Sequence, residues 1–284
     1  MANYTAADIK EIRELLGSGM MDVKKALDEA DGDKQKAIEI LRVKGAKAAA
    51  KRGERVTAEG LVVSKIVDGK NGKVGYLAEL DCETDFVAKS DDFIKLANQV
   101  IEGVVSADAD SVDSALKASV DGNTVEELIG EAAGTRLREN LKLANVGKVE
   151  GEIVAQYMHK KDMALPPYVG VMVAGSGVSE DNLVKIAQHL TSNLSVNGTF
   201  PYTSIEDVPA ETIEAEERVA REKNAGKPDN IMPKIIQGSL NKFYKENVLL
   251  EQNLVFDDSV SIKSLLGDGE ITGIVGFVVG GENK

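Results

Sequence analysis

The sequence predicts an α+β protein made of a small three-helix unit, a duplicated α+β core of two subdomains and a protruding helical hairpin. Three observations predict it. Apolar residues recur at helical spacing through the first 45 residues, and from Gly60 the period changes to that of strands. One strand–loop–helix pattern then returns about 90 residues later. The expected organisation is 1–45 three-helix unit, 46–57 basic linker, 58–150 first core subdomain and 151–284 second, the last containing a hairpin over about 210–247.

In the first unit, Thr5 can cap a helix, with Asp8 three residues on as an imperfect capping box. Ile9, Ile12, Leu15 and Leu16 form its apolar stripe, and Gly17 stops it. A second helix runs from about Met21 with Val23, Ala26, Leu27 and Ala30 on one face. Asp31-Gly32-Asp33 is a turn, and Asp33 caps a third helix carrying Ala37, Ile38 and Leu41 as far as Gly45. So small a unit is marginal alone. The Ala-, Lys- and Arg-rich residues 46–57 read as a linker or a frayed helical extension with little apolar content to dock.

Strands over 61–67 and 74–80 flank Asp68-Gly69-Lys70-Asn71-Gly72, a hairpin signal. A helix from Asp91 or Asp92 to about Val105 follows, with Phe93, Leu96, Ala97, Val100 and Ile101 on one face. Residues 106–122, rich in Ser, Asp and Ala, read as loop. A helical stretch over 125–133 and mixed strands through Met158 come next. The second unit has a buried strand over 169–174, a Gly-rich turn and a helix over about 179–192, in which Leu183, Ile186 and Ala187 repeat Phe93, Leu96 and Ala97. Helices at about 210–224 and 231–247 are separated by Gly226-Lys227-Pro228. After residues 261–266, an apolar strand over 271–279 is expected to return to the second sheet.

Composition narrows the function. The chain has 284 residues, 43% hydrophobic and 29% charged, with no Trp and 4% aromatics, so its core is mostly aliphatic. Net charge is −13, unevenly placed: residues 1–60 hold 12 Lys/Arg against 11 Asp/Glu, leaving an acidic body. An acidic body argues against wrapping nucleic acid, which draws on clustered cations. The basic run Arg42, Lys44, Lys47, Lys51, Arg52 and Arg55 contains no aromatic residue for base stacking and reads as a solvated face. A lone cysteine, Cys82, fits a reducing compartment. No signal-like start and no run of about 18 apolar residues occurs, so a location in the cytoplasm, or in an organelle from which any transit peptide is already absent, is expected, without membrane binding.

Little catalytic chemistry is available. His159 and His189 are far apart, and His189 occupies the repeat position of Gln99, which points to packing or surface. No metal-ligand spacing, phosphate-binding glycine loop or nucleophile turn is present, so neither a metal nor a cofactor is expected. Asp81, Glu83 and Asp85 lack calcium-loop spacing and read as a solvated loop end. Two segments stand out. Gly17-Ser18-Gly19-Met20-Met21-Asp22 sets two methionines at a helix corner, where Met21 fills the bundle or both present an adaptable binding surface. Thr84-Asp85-Phe86-Val87 sets one of six Phe residues between a strand and a helix, where burial statistics favour a core position.

Those segments, extended to Leu16-Gly17-Ser18-Gly19-Met20-Met21-Asp22-Val23-Lys24-Lys25-Ala26-Leu27 and Glu79-Leu80-Asp81-Cys82-Glu83-Thr84-Asp85-Phe86-Val87-Ala88-Lys89, resemble the two signatures of the bacterial translation elongation factor Ts family. The resemblance continues through Gly32-Asp33, Gly226-Lys227-Pro228 and Thr272-Gly273, and thins within 106–122 and between His159 and Pro167. It implies a guanine-nucleotide exchange factor for elongation factor Tu, not an enzyme, whose three-helix domain is similar to ubiquitin-associated domains. It also implies roles. Thr84, Asp85, Phe86 and Val87 would sit where the partner holds its magnesium ion, the Phe intruding between partner helices. Met20, Met21 and Lys24 would contact the nucleotide domain, and His159 would be a further partner contact. From the residues alone, a scaffold without exchange activity and an RNA-binding protein using 42–55 stand as competing readings.

Overall fold

The computed structural model describes residues 3–197 and 200–281. The outermost ends of the expected 1–45 and 151–284 segments, and residues 198–199, lie outside them.

Three helices open the chain: α1 (Ala6–Leu16), α2 (Met20–Glu29) and α3 (Lys34–Ala50). Thr5 and Asp8 form the reciprocal capping box, and Gly17 ends α1 at φ 64°. Ile12, Leu16, Val23, Ala26, Leu27, Ala37 and Leu41 make the small core. Leu15 departs from its expected stripe and is 49% exposed. The third helix also departs from expectation, because it does not stop at Gly45 but runs to Ala50.

Strands β1 (Glu59–Gly69) and β2 (Gly72–Cys82) form a hairpin closed by Gly69 opposite Gly72. After a one-turn helix α4 (Asp85–Ala88) comes α5 (Asp91–Ser106), capped by Ser90. Residues 106–122, expected as loop, hold α6 (Val112–Leu116), capped by Ser111, and β3 (Ser119–Val120). The latter turns at Asp121 and Gly122 into β4 (Asn123–Thr124). Helix α7 (Val125–Gly134) explains the length of α3: the two cross at glycines, and a Cβ on Gly134 would fall 2.5 Å from the carbonyl carbon of Gly45. Gly45 is thus an approach point and not a stop. Ala49 beyond it packs on the first core.

Strand β5 (Lys142–Gly151) pairs with β2, and one residue later the chain enters β6 (Ile153–His159) in the other sheet. Then come β7 (Val169–Ser176) and α8 (Glu180–Asn197), longer than the expected 179–192. Helices α9 (Ala210–Lys223) and α10 (Met232–Asn247) pack on each other through Ala220, Met232, Ile236 and Leu240. The chain closes with β8 (Asn253–Leu254), β9 (Asp257–Ser261), α11 (Ile262–Leu266) and β10 (Glu270–Val278).

The sheets have orders β1-β2-β5 and β10-β7-β6, antiparallel throughout. Each arises from the same path: a hairpin, a helix laid on it, and a later strand added beside the hairpin's second strand. The repeat seen at Phe93 and Leu183 is therefore a repeat of topology. Strand β2 sends Tyr76, Ala78, Leu80 and Cys82 towards α5 and α7, and Leu77 towards the other sheet. Strand β7 sends Val169, Val171 and Val173 towards α8, and Met172 and Ala174 towards the first sheet. Helices thus cover the outer faces and the inner faces close on Val62, Leu77, Val149, Met172 and Phe277. Both central strands are buried on both faces, which is why they read as continuous apolar runs.

Candidate interaction site

The site grows from the end of β2. Cys82 is the last strand residue, and Thr84 follows in extended backbone at φ −131° and ψ 152°. Its hydroxyl accepts from the Val87 N–H at 3.4 Å and so caps α4. The turn closes with Ala88 N–H on the Thr84 carbonyl at 3.1 Å and Ser90 N–H on the Val87 carbonyl at 2.9 Å. Ala88 is buried and Val87 packs on the first core, so the inner side of the turn is anchored. Phe86 lies on the outer side and is 72% exposed. Burial statistics are overruled here because the turn offers its one core-facing side to Val87 and Ala88. Lys89 lies 4.4 Å from the Phe86 ring centroid and 3.2 Å from the Asp85 carboxylate.

A segment that sequence reasoning passed over supports this turn. The Glu139 carboxylate accepts three hydrogen bonds from its base, from Glu83 N–H and Thr84 N–H at 3.0 Å each and from the Thr84 hydroxyl at 2.6 Å. Glu83 in turn accepts from the Asn140 N–H at 2.6 Å and pairs with Arg55 at 3.3 Å. The Asn140 amide donates to the Gly53 and Arg55 carbonyls at 3.2 and 2.7 Å. Nothing in the spacing of Arg138-Glu139-Asn140 announces this role.

The second candidate segment is the α1–α2 corner. Met20 and Met21 are 56% and 61% exposed, so neither fills the bundle, and Leu15 joins them as exposed apolar surface. Lys24, one turn on, is exposed as well. The corner rests on the loop that carries Glu139. Arg136 donates to the Leu15 carbonyl, and Arg138 pairs with Asp22 at 3.1 Å. Gly17 permits the contact, for a Cβ there would overlap Cβ and Cγ of Arg136.

His159 stands apart, exposed at the end of β6 in the second sheet. It stacks on Tyr157 with centroids 6.3 Å apart, and its carbonyl accepts from Tyr168 N–H at 2.7 Å. His189 is buried: its Nδ1 accepts from Val255 N–H at 3.1 Å, its Nε2 faces the Gln252 side-chain oxygen at 2.8 Å, and burial holds its pKa below the usual value.

The expected solvated loop end at Asp81, Glu83 and Asp85 holds only for Asp85, because the first two fall in and just after the buried strand β2. Asp81 is buried in β2, Glu83 is engaged with Asn140 and Arg55, and Asp85 is exposed beside Lys89. Burial, with the adjacent Glu79 carboxylate adding to it, raises the Asp81 pKa to about 8. Burial first, and the Glu139 charge second, pushes the Cys82 thiol up to about 12, which leaves it a poor nucleophile. Among the described residues no group of three His, Cys, Asp or Glu is placed to hold a metal, and no helix is long and apolar enough to cross a membrane.

Comparison with known proteins takes in the first of the two segments by a family model and nearly the whole chain by relatives. The sequence model of the family described as "Elongation factor TS" matches residues 83–281, which takes in the Phe86 turn and its Glu139 support. Curated relatives called Elongation factor Ts are similar along almost the whole chain. That of Kocuria rhizophila is 46% identical over 275 residues, 96% of each chain. That of Clavibacter michiganensis subsp. michiganensis is 46% identical over 284 residues, covering 99% of this chain and 100% of the relative. That of Beutenbergia cavernae is 44% identical over 286 residues, again 99% and 100%.

Proposed function

The chain belongs to the elongation factor Ts family of translation elongation factors, and from that premise we propose that it binds elongation factor Tu in its GDP form and promotes GDP release and exchange for GTP by displacing the bound magnesium ion. In this reading it has no catalytic site of its own and acts in the cytoplasm. Residues 1–45 are a partner-binding domain, followed by the stretch 46–57 and the core subdomains 58–150 and 151–284. Thr84, Asp85, Phe86 and Val87 act on the magnesium site, Met20, Met21 and Lys24 contact the nucleotide domain, and His159 is a further contact.

The observation that carries the reading is the Phe86 ring, 72% exposed on a turn whose other side is fixed in the core. A large apolar side chain held in water has free energy to release on burial, about 1.5–3 kcal/mol. At 1.4 kcal/mol per decade that is roughly one to two orders of magnitude in an equilibrium or rate. GTPases hold nucleotide through phosphate-loop amides and Mg²⁺, so a factor speeds release only by binding the distorted pocket better than the closed one. Phe86 supplies part of that preference, and the Asp85 carboxylate near phosphate and metal adds to it. The wider interface supplies the rest. Coupling is reciprocal, so nucleotide must weaken the factor's grip to the same degree. The basic run lends little to nucleic-acid binding, since Arg42 pairs with Glu131, Lys44 with Glu29, Arg55 with Glu83, and Arg52 donates to the Ala133 carbonyl.

The test is release of fluorescent GDP from elongation factor Tu. Acceleration by catalytic amounts of this chain is expected. Release at the spontaneous rate, with a complex still formed, leaves only a scaffold.

A further inference from the structure

We infer that Glu139 is the positioning residue for the Phe86 turn, and that the loop carrying it fixes the spacing between that turn and the Met20–Met21 corner. The inference rests on the proposed role of Phe86 and deepens it. One carboxylate takes three donors from two consecutive residues at the foot of α4, and charge-assisted bonds of this kind are shorter and stronger than neutral ones. The same short loop reaches the corner through Arg136 and Arg138, and the chain after α3 through Asn140. Arg138 itself sits at φ 58°, a left-handed conformation that a non-glycine residue holds only when its surroundings impose it. The loop is therefore built to a fixed shape, with one contact patch on each side.

The physical need is plain. A ring used as a wedge transmits burial energy to its target only if its own turn does not yield. If the turn yields, the ring folds back and ordering entropy consumes the gain. Removing Glu139 leaves the corner and the wider interface in place. Complex formation should persist while the maximal rate of GDP release falls.

The experiment measures fluorescent GDP release from elongation factor Tu against factor concentration for the wild-type chain, Glu139→Ala, Glu139→Gln, Phe86→Ala and the double variant Glu139→Ala with Phe86→Ala. Melting is followed by circular dichroism, and amide hydrogen exchange at Glu83 and Thr84 is measured without the partner. Glu139→Ala is expected to lower the maximal rate roughly tenfold, since hydrogen bonds to a charged group are lost, and to shift the half-saturating concentration less than about twofold. Glu139→Gln, which keeps an acceptor for the N–H pair and a donor for the Thr84 hydroxyl, should recover most of the rate. The double variant should lose no more than Phe86→Ala, because residues acting through one another are not additive. Exchange at the two amides should speed up about tenfold or more in Glu139→Ala.

The inference is overturned by a wild-type maximal rate in Glu139→Ala, by losses that multiply in the double variant, or by unchanged amide exchange. A rate loss that follows a fall in melting temperature and is not rescued by Glu139→Gln overturns it too, as general destabilisation. Failure of the proposed function looks different, for then the wild-type chain does not accelerate release at all, and the inference falls with it.

Discussion

Met20 and Met21 should carry binding energy and almost no folding energy. With 56% and 61% exposure, each side chain keeps more than half of its surface for a partner to cover. Full burial of a Met side chain is worth about 1.5–3 kcal/mol, so the remaining share is about 0.8–1.8 kcal/mol each. Met20→Ala combined with Met21→Ala should then weaken the complex by about 1.8–3.5 kcal/mol, roughly 20- to 300-fold in Kd. Folding should not suffer, because both lie in the first turn of α2 and Ala is at least as good a helix former as Met. A neighbouring control sharpens the contrast. Leu16 is fully buried in the same bundle, and Leu16→Ala should cost about 2–5 kcal/mol of stability. Calorimetric titration of the double variant into GDP-bound elongation factor Tu, with urea unfolding alongside, reads both quantities. Unchanged affinity, or an affinity loss accompanied by a comparable loss of stability, would show that the two methionines are not a binding surface.

Further outcomes follow from single positions. Gly17→Ala places a Cβ at φ 64° and into Arg136; the left-handed backbone alone should cost about 1–2 kcal/mol, visible as a lower urea midpoint and a weaker complex. Burial, aided by Glu79, raises the Asp81 pKa from 3.8 to about 8, so between those values the folded chain holds a proton that the unfolded chain has released. Stability should decline as pH rises across that window, and Asp81→Asn should flatten the decline in urea midpoints measured from pH 5 to 8. His189 has the opposite sign: its depressed pKa means that stability is lost as pH falls below its ordinary value of 6.5, and His189→Gln should lessen that acid sensitivity.

What was legible in the sequence was whatever local chemistry decides. Thr5 with Asp8, the Asp68-to-Gly72 turn and the Phe93/Leu183 repeat each state their structure through spacing alone. What was not legible depends on distant neighbours. Gly45 reads as a helix stop until Gly134 is set against it. Ser111 and the Asp121–Gly122 turn lie in a stretch too polar to look ordered, yet Ala115 and Ala118 are buried in the first core. Phe86 reads as core because the sequence does not reveal that Val87 and Ala88 occupy the inner side of its turn. Glu139 is invisible for a related reason: its partners are some 55 residues away, and a single acidic residue in a loop carries no spacing.

In the proposed function the exposed ring of Phe86 acts against the nucleotide pocket of elongation factor Tu. The most direct measurement is the maximal rate of fluorescent GDP release driven by Phe86→Ala, with its melting curve matched to wild type. A fall of about 10- to 100-fold with folding intact is predicted from the burial energy of one Phe; a rate close to wild type contradicts the account.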